Sequence, residues 1–401
     1  MEEQTAGMHI TASALEAPLC HRLGRDHVTA DTWQVTPFTR SGGSTTGGIF
    51  RVEGSARDGG ETIPFALVLK VARAPEAGVM SVSRGALPGG WGHDATHSHY
   101  WRREALAYQS GLLADLAGGL AAPRCYAVQE QSEDSAWLWL EDITDTHGAQ
   151  WPPERYALAA RHLGQFNGAY PVGRPVPSFP WLSSDWMRQE CLSRASSFAP
   201  ALLLDPQTWA HPLVRRAFPE PVGEEVVRLW TEREQWLAAL DRLPQTFCHL
   251  DAHRGNLFAR LGSDGVDQTV AIDWAFTGVA ALGTDIGQLA STSCLLVNMP
   301  TIPIADYWET VLAGYLAGLA DAGWRGDDRL AAFGAIALAV VRWGFLMPTL
   351  MLGIALDERR HARTEQRFQR PVEDFLRSGA AAISFLLGRA SAARAMLREL
   401  T

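Results

Sequence analysis

The spacing of polar and apolar positions changes character about a third of the way along this chain. Residues 1–30 give little beyond one short helix. From Trp33 the pattern is that of strands: Trp33–Phe38, a turn Ser41-Gly42-Gly43-Ser44-Thr45-Thr46-Gly47-Gly48, then Ile49–Val52. Strand, Gly/Ser/Thr turn and strand predict a hairpin. A second turn, Arg57-Asp58-Gly59-Gly60, leads into an apolar run that ends at Lys70. Residues 75–99 are rich in Gly, Ser and His and are expected to be a long loop, with His93, His97 and His99 on a solvated surface. Tyr100–Leu116 predicts a helix carrying Glu104, and Arg124–Gln129 and Ser135–Leu140 predict two more strands. After Glu141-Asp142, a natural hinge, the period becomes helical. Pro153–Tyr170 puts Leu158, Leu163 and Phe166 on one face; Trp186–Leu204, His211–Phe218 and Gly223–Leu243 follow. The stretch around residue 250 is strand and loop, then a short strand at Thr269–Ile272, and four more helices are expected over 284–401.

A β-rich front and an α-rich back predict an α+β protein of two lobes, 1–141 and 142–401, without internal repeats. With 47% hydrophobic and 20% charged residues the chain has the means to bury a core. A net charge of −9 argues against nucleic acid or an anionic membrane as partner. The charge is uneven: residues 1–286 hold 33 acids against 23 bases, residues 287–401 hold 11 against 12. Five scattered cysteines without a Cys-x-x-Cys pair predict free thiols, and the Met-Glu-Glu-Gln start lacks a signal-peptide pattern, so a cytoplasmic monomer or homodimer is expected. The most membrane-like stretch, Leu330–Leu356, is interrupted by Arg342, Gly344 and Pro348 and predicts two buried core helices.

The chemistry concentrates in Phe247-Cys248-His249-Leu250-Asp251-Ala252-His253-Arg254-Gly255-Asn256-Leu257-Phe258 and in Ala271-Ile272-Asp273-Trp274. An acid, an amide five residues on and a second acid supply what phosphoryl transfer from Mg-ATP to a hydroxyl needs. Asp251 accepts the hydroxyl proton, while Asn256 and Asp273 offer Mg²⁺ hard oxygen ligands. His253 and Arg254 either reach a transferring phosphate or scaffold the loop. Of the 35 Lys and Arg residues, Lys70 is the single lysine. A compact ammonium kept where every other cation is a guanidinium points to a phosphate contact.

His249-x-Asp251-x-x-x-x-Asn256 followed by Ile272-Asp273 resembles the aminoglycoside phosphotransferase and choline kinase group, from about Ser41 to Leu289. The resemblance implies a bilobal protein-kinase-like fold with ATP (or GTP) between the lobes and a small hydroxylated acceptor in the helical lobe. It implies that Ser44, Thr45, Thr46 and Gly47 cover the phosphates, that Lys70 contacts them and is held by Glu104, and that Val68 and Phe258 sandwich adenine with Trp139, Leu140 and Glu141 at its edge. Antibiotic inactivation is the biological setting it suggests. Asp273 is followed by Trp274-Ala275 rather than Phe-Gly, and eleven residues separate it from Asp285, too few for the activation segment of a protein kinase. Asp285 is expected to anchor the loop, and Asn167 stands where the group often has His. A small-molecule kinase is therefore expected; the alternatives are a catalytically silent nucleotide-binding relative and, further off, a protein kinase. A neutral 287–401 tail without an acidic cluster favours a neutral or anionic acceptor over a polycation.

Overall fold

The computed structural model describes residues 8–38, 45–75, 80–81, 85–86, 91–189, 199–262, 264–295 and 302–401. The fold is α+β. Two compact units emerge: one holds the chain up to Leu116 with Ala121–Thr144 and Ile272–Ala275, the other Ala117–Leu120, Asp145–Ala271 and Phe276–Thr401. The expected division after 141 is thus drawn after Thr144, and the segment carrying Asp273 belongs with the first unit.

The first unit is one antiparallel sheet with helices on it. Helix α1 (Ala12–Leu23) is capped by the Thr11 side chain and ends at Gly24 in the left-handed region. Strands β1 (Thr29–Pro37), β2 (Thr46–Asp58), β3 (Glu61–Arg73), β4 (Cys125–Ser132) and β5 (Ser135–Glu141) pair in the order β1-β2-β3-β5-β4. Alternation along β3 splits the core. Leu67, Leu69 and Val71 join Leu15 and Leu19 of α1 on one side; Ala72 and the edge of Val68 join Trp101 and Ala105 on the other. The helix expected over Tyr100–Leu116 is only α2, Arg103–Gln109. Gly111 at φ 75° turns the chain out of the helix, and Arg103 is spent on backbone carbonyls ahead of it. His99 is buried, not on a solvated surface.

The second unit is mainly helical. Its first long helix, α3 (Pro153–Gly168), is followed after several short helical turns by α4 (Glu220–Asp241). The middle of the helix expected over Trp186–Leu204 lies outside the described residues, and Ala199–Leu203 forms its last turn. Four short strands come next: β6 (Gln245–Cys248), β7 (Leu257–Leu261), β8 (Asp267–Ala271) and β9 (Gly278–Ala281), with β7 on β8 and β6 on β9. Then come α5 (Thr284–Leu295), α6 (Ile304–Asp321), α7 (Asp328–Trp343), α8 (Leu346–Ala355), a short helix His361–Phe368 and α9 (Val372–Leu400). Among the described residues this makes six helices where four were expected. Gly323 at φ 98°, the Asp327 cap and Gln369 at φ 53° before Pro371 supply breaks that apolar periodicity does not register.

Helices α3 and α6 approach through glycine. A Cβ on Gly164 would lie 2.1 Å from the Tyr315 carbonyl oxygen, and one on Gly318 2.0 Å from that of Arg161. This closeness lets Tyr315 reach Asn167, its hydroxyl donating to the Asn167 side-chain oxygen. Asp328–Ala355 and Val372–Leu400 are long and apolar enough to cross a membrane by length and composition; 83% and 50% of their most apolar stretches are buried within the molecule.

Candidate active site

Strand β6 delivers the chain into the turn 249–256, and the turn is braced from below. Asp285, the second residue of α5, accepts the backbone N–H of His249 through Oδ2 at 3.0 Å and that of Leu250 through Oδ1 at 2.8 Å. Leu250 sits at φ 68°, a strained conformation for a branched side chain. The two bonds from Asp285 hold it there. Asn167 of α3 donates to Asp285 Oδ2 (3.1 Å) and to the Phe247 carbonyl (3.0 Å), and accepts from the Tyr315 hydroxyl at 3.0 Å. Asn167 therefore ties α3, β6, α5 and α6 together under the loop.

Asp251 is thereby presented at the mouth of the turn, its side chain 13% exposed. Its Oδ2 accepts from Asn256 Nδ2 at 3.1 Å and lies 3.6 Å from His253 Nε2. Its Oδ1 accepts from Gln288 Nε2 at 3.0 Å and lies 3.5 Å from Arg342 Nη2. Burial pushes this carboxyl up. The His253 hydrogen bond and charge, with Arg342 and His249, outweigh burial and hold it below the usual carboxylate range. His249 braces the turn, its Nδ1 accepting the Asp251 N–H at 3.2 Å.

Asn256 also donates to the Asp251 carbonyl, 3.0 Å away. With its amide nitrogen so used, its oxygen accepts no hydrogen bond among the described residues, which suits a hard cation. His253 Nδ1 accepts the Gly255 N–H at 3.0 Å, so one ring nitrogen shapes the turn and the other faces Asp251. Arg254 does not fit the expected phosphate contact. Its guanidinium is turned inward, donating to the Leu257 carbonyl (2.8 Å) and Asp145 (3.1 Å) and lying 4.0 Å over the Trp151 ring. It fastens the turn to residues 145–151 through the Asp145 carboxylate and the Gly148 and Ala149 carbonyls, which take its Nη2 donors.

In the first unit Lys70 is 5% exposed and stands between two carboxylates. It pairs with Glu104 of α2, and its Nζ is 2.7 Å from Asp273 Oδ1. Burial presses the ammonium down, but Asp273 and Glu104 outweigh it, so Lys70 stays charged with its affinity for the proton raised. Burial raises the Glu104 carboxyl, with Lys70 opposing. Glu104 also accepts the Trp274 N–H at 3.3 Å, which fixes the segment behind Asp273. Asp273 adopts φ 64°, which a short polar side chain tolerates. Its side chain is 38% exposed, so a hard carboxylate oxygen is open to a cation. Among the described residues no three His, Cys, Asp or Glu converge as a metal cluster.

Of the phosphate-covering turn, Ser44 lies outside the described residues. Thr45 precedes β2 and Thr46 opens it, Arg73 N–H bonds the Thr45 carbonyl at 2.8 Å, and the strand pairing slips between Thr46 and Gly48. A Cβ on Gly47 would press on Val71 at 2.9 Å. Val68 is half-buried on the Lys70 face of β3, and Phe258 half-buried on β7. Trp139 does not line an edge: it is wholly buried, its indole N–H on Gln129 at 2.9 Å. Leu140 is core as well, and the Glu141 N–H is taken by the Arg124 carbonyl at 2.9 Å. Three residues at the turn escaped the sequence reading: Gln288, Arg342 and Trp186. Gln288 carried a signal, three residues after Asp285 on one helix face; Arg342 carried one as a charge inside an apolar run, and Trp186 carried none.

A scan against family models matches residues 86–333, more than half of the chain, to the phosphotransferase enzyme family. No curated protein matches the sequence. Among solved structures the chain is similar to an amicoumacin kinase bound to AMP-PNP, Ca²⁺ and amicoumacin, at 15% identity over 85% of this chain and 88% of that one, TM-score 0.49. It is similar to a microcompartment-associated aminopropanol kinase at 12% identity over 90% and 94%, TM-score 0.46. A Plasmodium vivax ethanolamine kinase matches at 10% identity over 89% and 82%, TM-score 0.40. With Asp251 and Asn256 set in one turn that Asp285 braces, inside the matched segment, the chain belongs to the phosphotransferase enzyme family.

Proposed function

We propose that this enzyme moves the γ-phosphoryl group of ATP or GTP to a hydroxyl of a neutral or anionic small molecule, in one in-line step with Asp251 as base. One observation carries the reading: Asp251 is largely buried yet held ionised, with Asn256 locked to its backbone and carboxylate. The acceptor hydroxyl donates to the Asp251 carboxylate. Its oxygen bonds to the γ-phosphorus, the bond to the β-phosphate oxygen breaks, and ADP departs. The proton passes to Asp251 late. A weak base suffices because the transition state is loose, so orientation matters more than proton affinity. Lys70, steadied by Glu104, meets the nucleotide phosphates, with Thr45, Thr46 and Gly47 covering them. Mg²⁺, when bound, offsets phosphate charge, and the oxygens of Asn256 and Asp273 are the protein ligands that suit it.

The placement of two acids supports a neutral or anionic acceptor. Glu225, which might have supplied a field for a polycation, is committed to Arg394 at 3.0 Å. Glu224 lines an apolar groove with Trp209 and Phe218. Glu190 lies outside the described residues.

The test is Asp251→Asn assayed for ADP release against a panel of antibiotics, nucleosides, sugars and amino alcohols, with ATP affinity measured by calorimetry. Turnover falls by roughly 10²–10⁴, and ATP affinity holds. Turnover within tenfold of the parent rejects Asp251 as base, and micromolar Michaelis constants for aminoglycosides reject the acceptor class.

A further inference from the structure

Arg342 enters the catalytic turn from 91 residues away in sequence, on α7. Its Nη2 lies 3.5 Å from Asp251 Oδ1, the outer limit of a hydrogen bond, on an oxygen that Gln288 already occupies at 3.0 Å. The guanidinium lies over two indoles, 4.8 Å from the Trp186 ring centre and 5.0 Å from that of Trp343. The side chain is only 11% exposed, and Nη1 is buried without a hydrogen-bond partner among the described residues.

Other buried guanidinium groups of this molecule hold firm oxygen partners even where single nitrogens go unmatched, as in Arg155, Arg254 and Arg394. Arg103 gives hydrogen bonds to the carbonyls of Ala95, His97, Ser98 and Ala275, and Arg394 reaches both Glu225 and Glu232. Arg342 has five donors and one marginal contact. The indole faces satisfy its charge and fix its plane, but they accept none of its N–H groups. A planar fork so held and so under-used is suited to an oxyanion.

We propose that Arg342 is the specificity-determining anchor for an oxyanion, a carboxylate or a phosphate ester, carried by the acceptor close to the hydroxyl that is phosphorylated. This rests on Asp251 being the acceptor-side base. The short separation of Asp251 and Arg342 lets one small molecule give its hydroxyl to the first and its anion to the second, from the same or neighbouring carbons.

The experiment uses the full-length enzyme and matched trios: D-gluconate, glucose phosphate and D-glucose; D-glycerate, glycerol phosphate and glycerol. Binding is measured by calorimetry and ADP release with ATP separately. At least one charged member binds roughly 10- to 100-fold more tightly than its neutral counterpart. Arg342→Gln brings that ratio close to one, and Arg342→Lys keeps part of it. The ligand-free melting temperature of Arg342→Gln stays near that of the parent, because a poorly matched buried charge is removed. If that variant fails to fold, Arg342→Lys carries the comparison. Neutral members that bind as tightly as charged ones, no binding by any charged member, or a ratio that survives in both variants overturns the proposal. ADP release from neutral members alone removes the anchor and leaves the transfer reading standing. Arg342-dependent binding of an acid without ADP release from any member removes the transfer reading and leaves the anchor.

Discussion

Lys70 and an arginine would carry the same charge into the first unit, but not the same shape. The ammonium fits between Glu104 and Asp273 at 5% exposure, one point charge serving two carboxylates. A guanidinium is wider and directs its donors in a plane, so it would splay the two acids apart. Lys70→Arg is therefore expected to give turnover no better than about tenfold above Lys70→Ala. Steady-state kinetics on both variants decide this; an arginine variant with parental turnover would show that Lys70 only fills a place in β3. The same logic explains Arg254. Its Nη1 and Nη2 are taken up by the Leu257, Gly148 and Ala149 carbonyls and by Asp145, so it serves the shape of the turn.

Elements meet through buried polar contacts as well as apolar faces. Helix α3 is pinned to β8 by His162, whose Nδ1 lies 2.9 Å from Thr269 Oγ1, and by Arg155, which donates to the same hydroxyl oxygen at 2.9 Å. Burial first, and the Arg155 charge second, push His162 down to about 4 from 6.5. The folded state thus keeps the ring neutral, while the unfolded chain takes up a proton near 6.5. The stability this contact contributes is present above 6.5 and is lost as pH falls toward 4. Between about pH 7 and about pH 5 the cost is about 2 kcal/mol. His162→Gln should lose correspondingly less stability over that interval in urea unfolding. Parallel losses in parent and variant would show that the ring is not buried neutral.

At the scale of the whole molecule, each unit is assembled from separated stretches of sequence. The four residues Ile272–Ala275 complete the first unit from far downstream. They bring Asp273 to Lys70, the Trp274 N–H to Glu104 and the Ala275 carbonyl to Arg103. A fragment ending at residue 144 lacks all three partners, and removing one partner of a buried charge costs about 3–5 kcal/mol. Net stabilities of domains are only about 5–15 kcal/mol. Residues 1–144 alone are expected to show no cooperative thermal transition by circular dichroism. A sharp transition together with ATP binding would mean that the downstream segment is dispensable.

Sequence alone determined what is local. The strand and helix periods gave the α+β order, and the contiguous spacing of Asp251 and Asn256 revealed the turn, because five residues of backbone carry both groups into one loop. The anchoring role of Asp285 was legible for the same reason, at the start of a clear helix. Tertiary structure decided where side chains point and which distant ones arrive. Trp139 faces the core because strand alternation in β5 places it against α1 and β3. The Asn167–Asp285 contact depends on the glycine-mediated approach of α3 to α6. Arg342 reads in sequence as a lone charge in an apolar helix; only packing of α7 beside β6 and the catalytic turn turns it toward Asp251. Periodicity records which face of an element is buried, not which partner that face will meet.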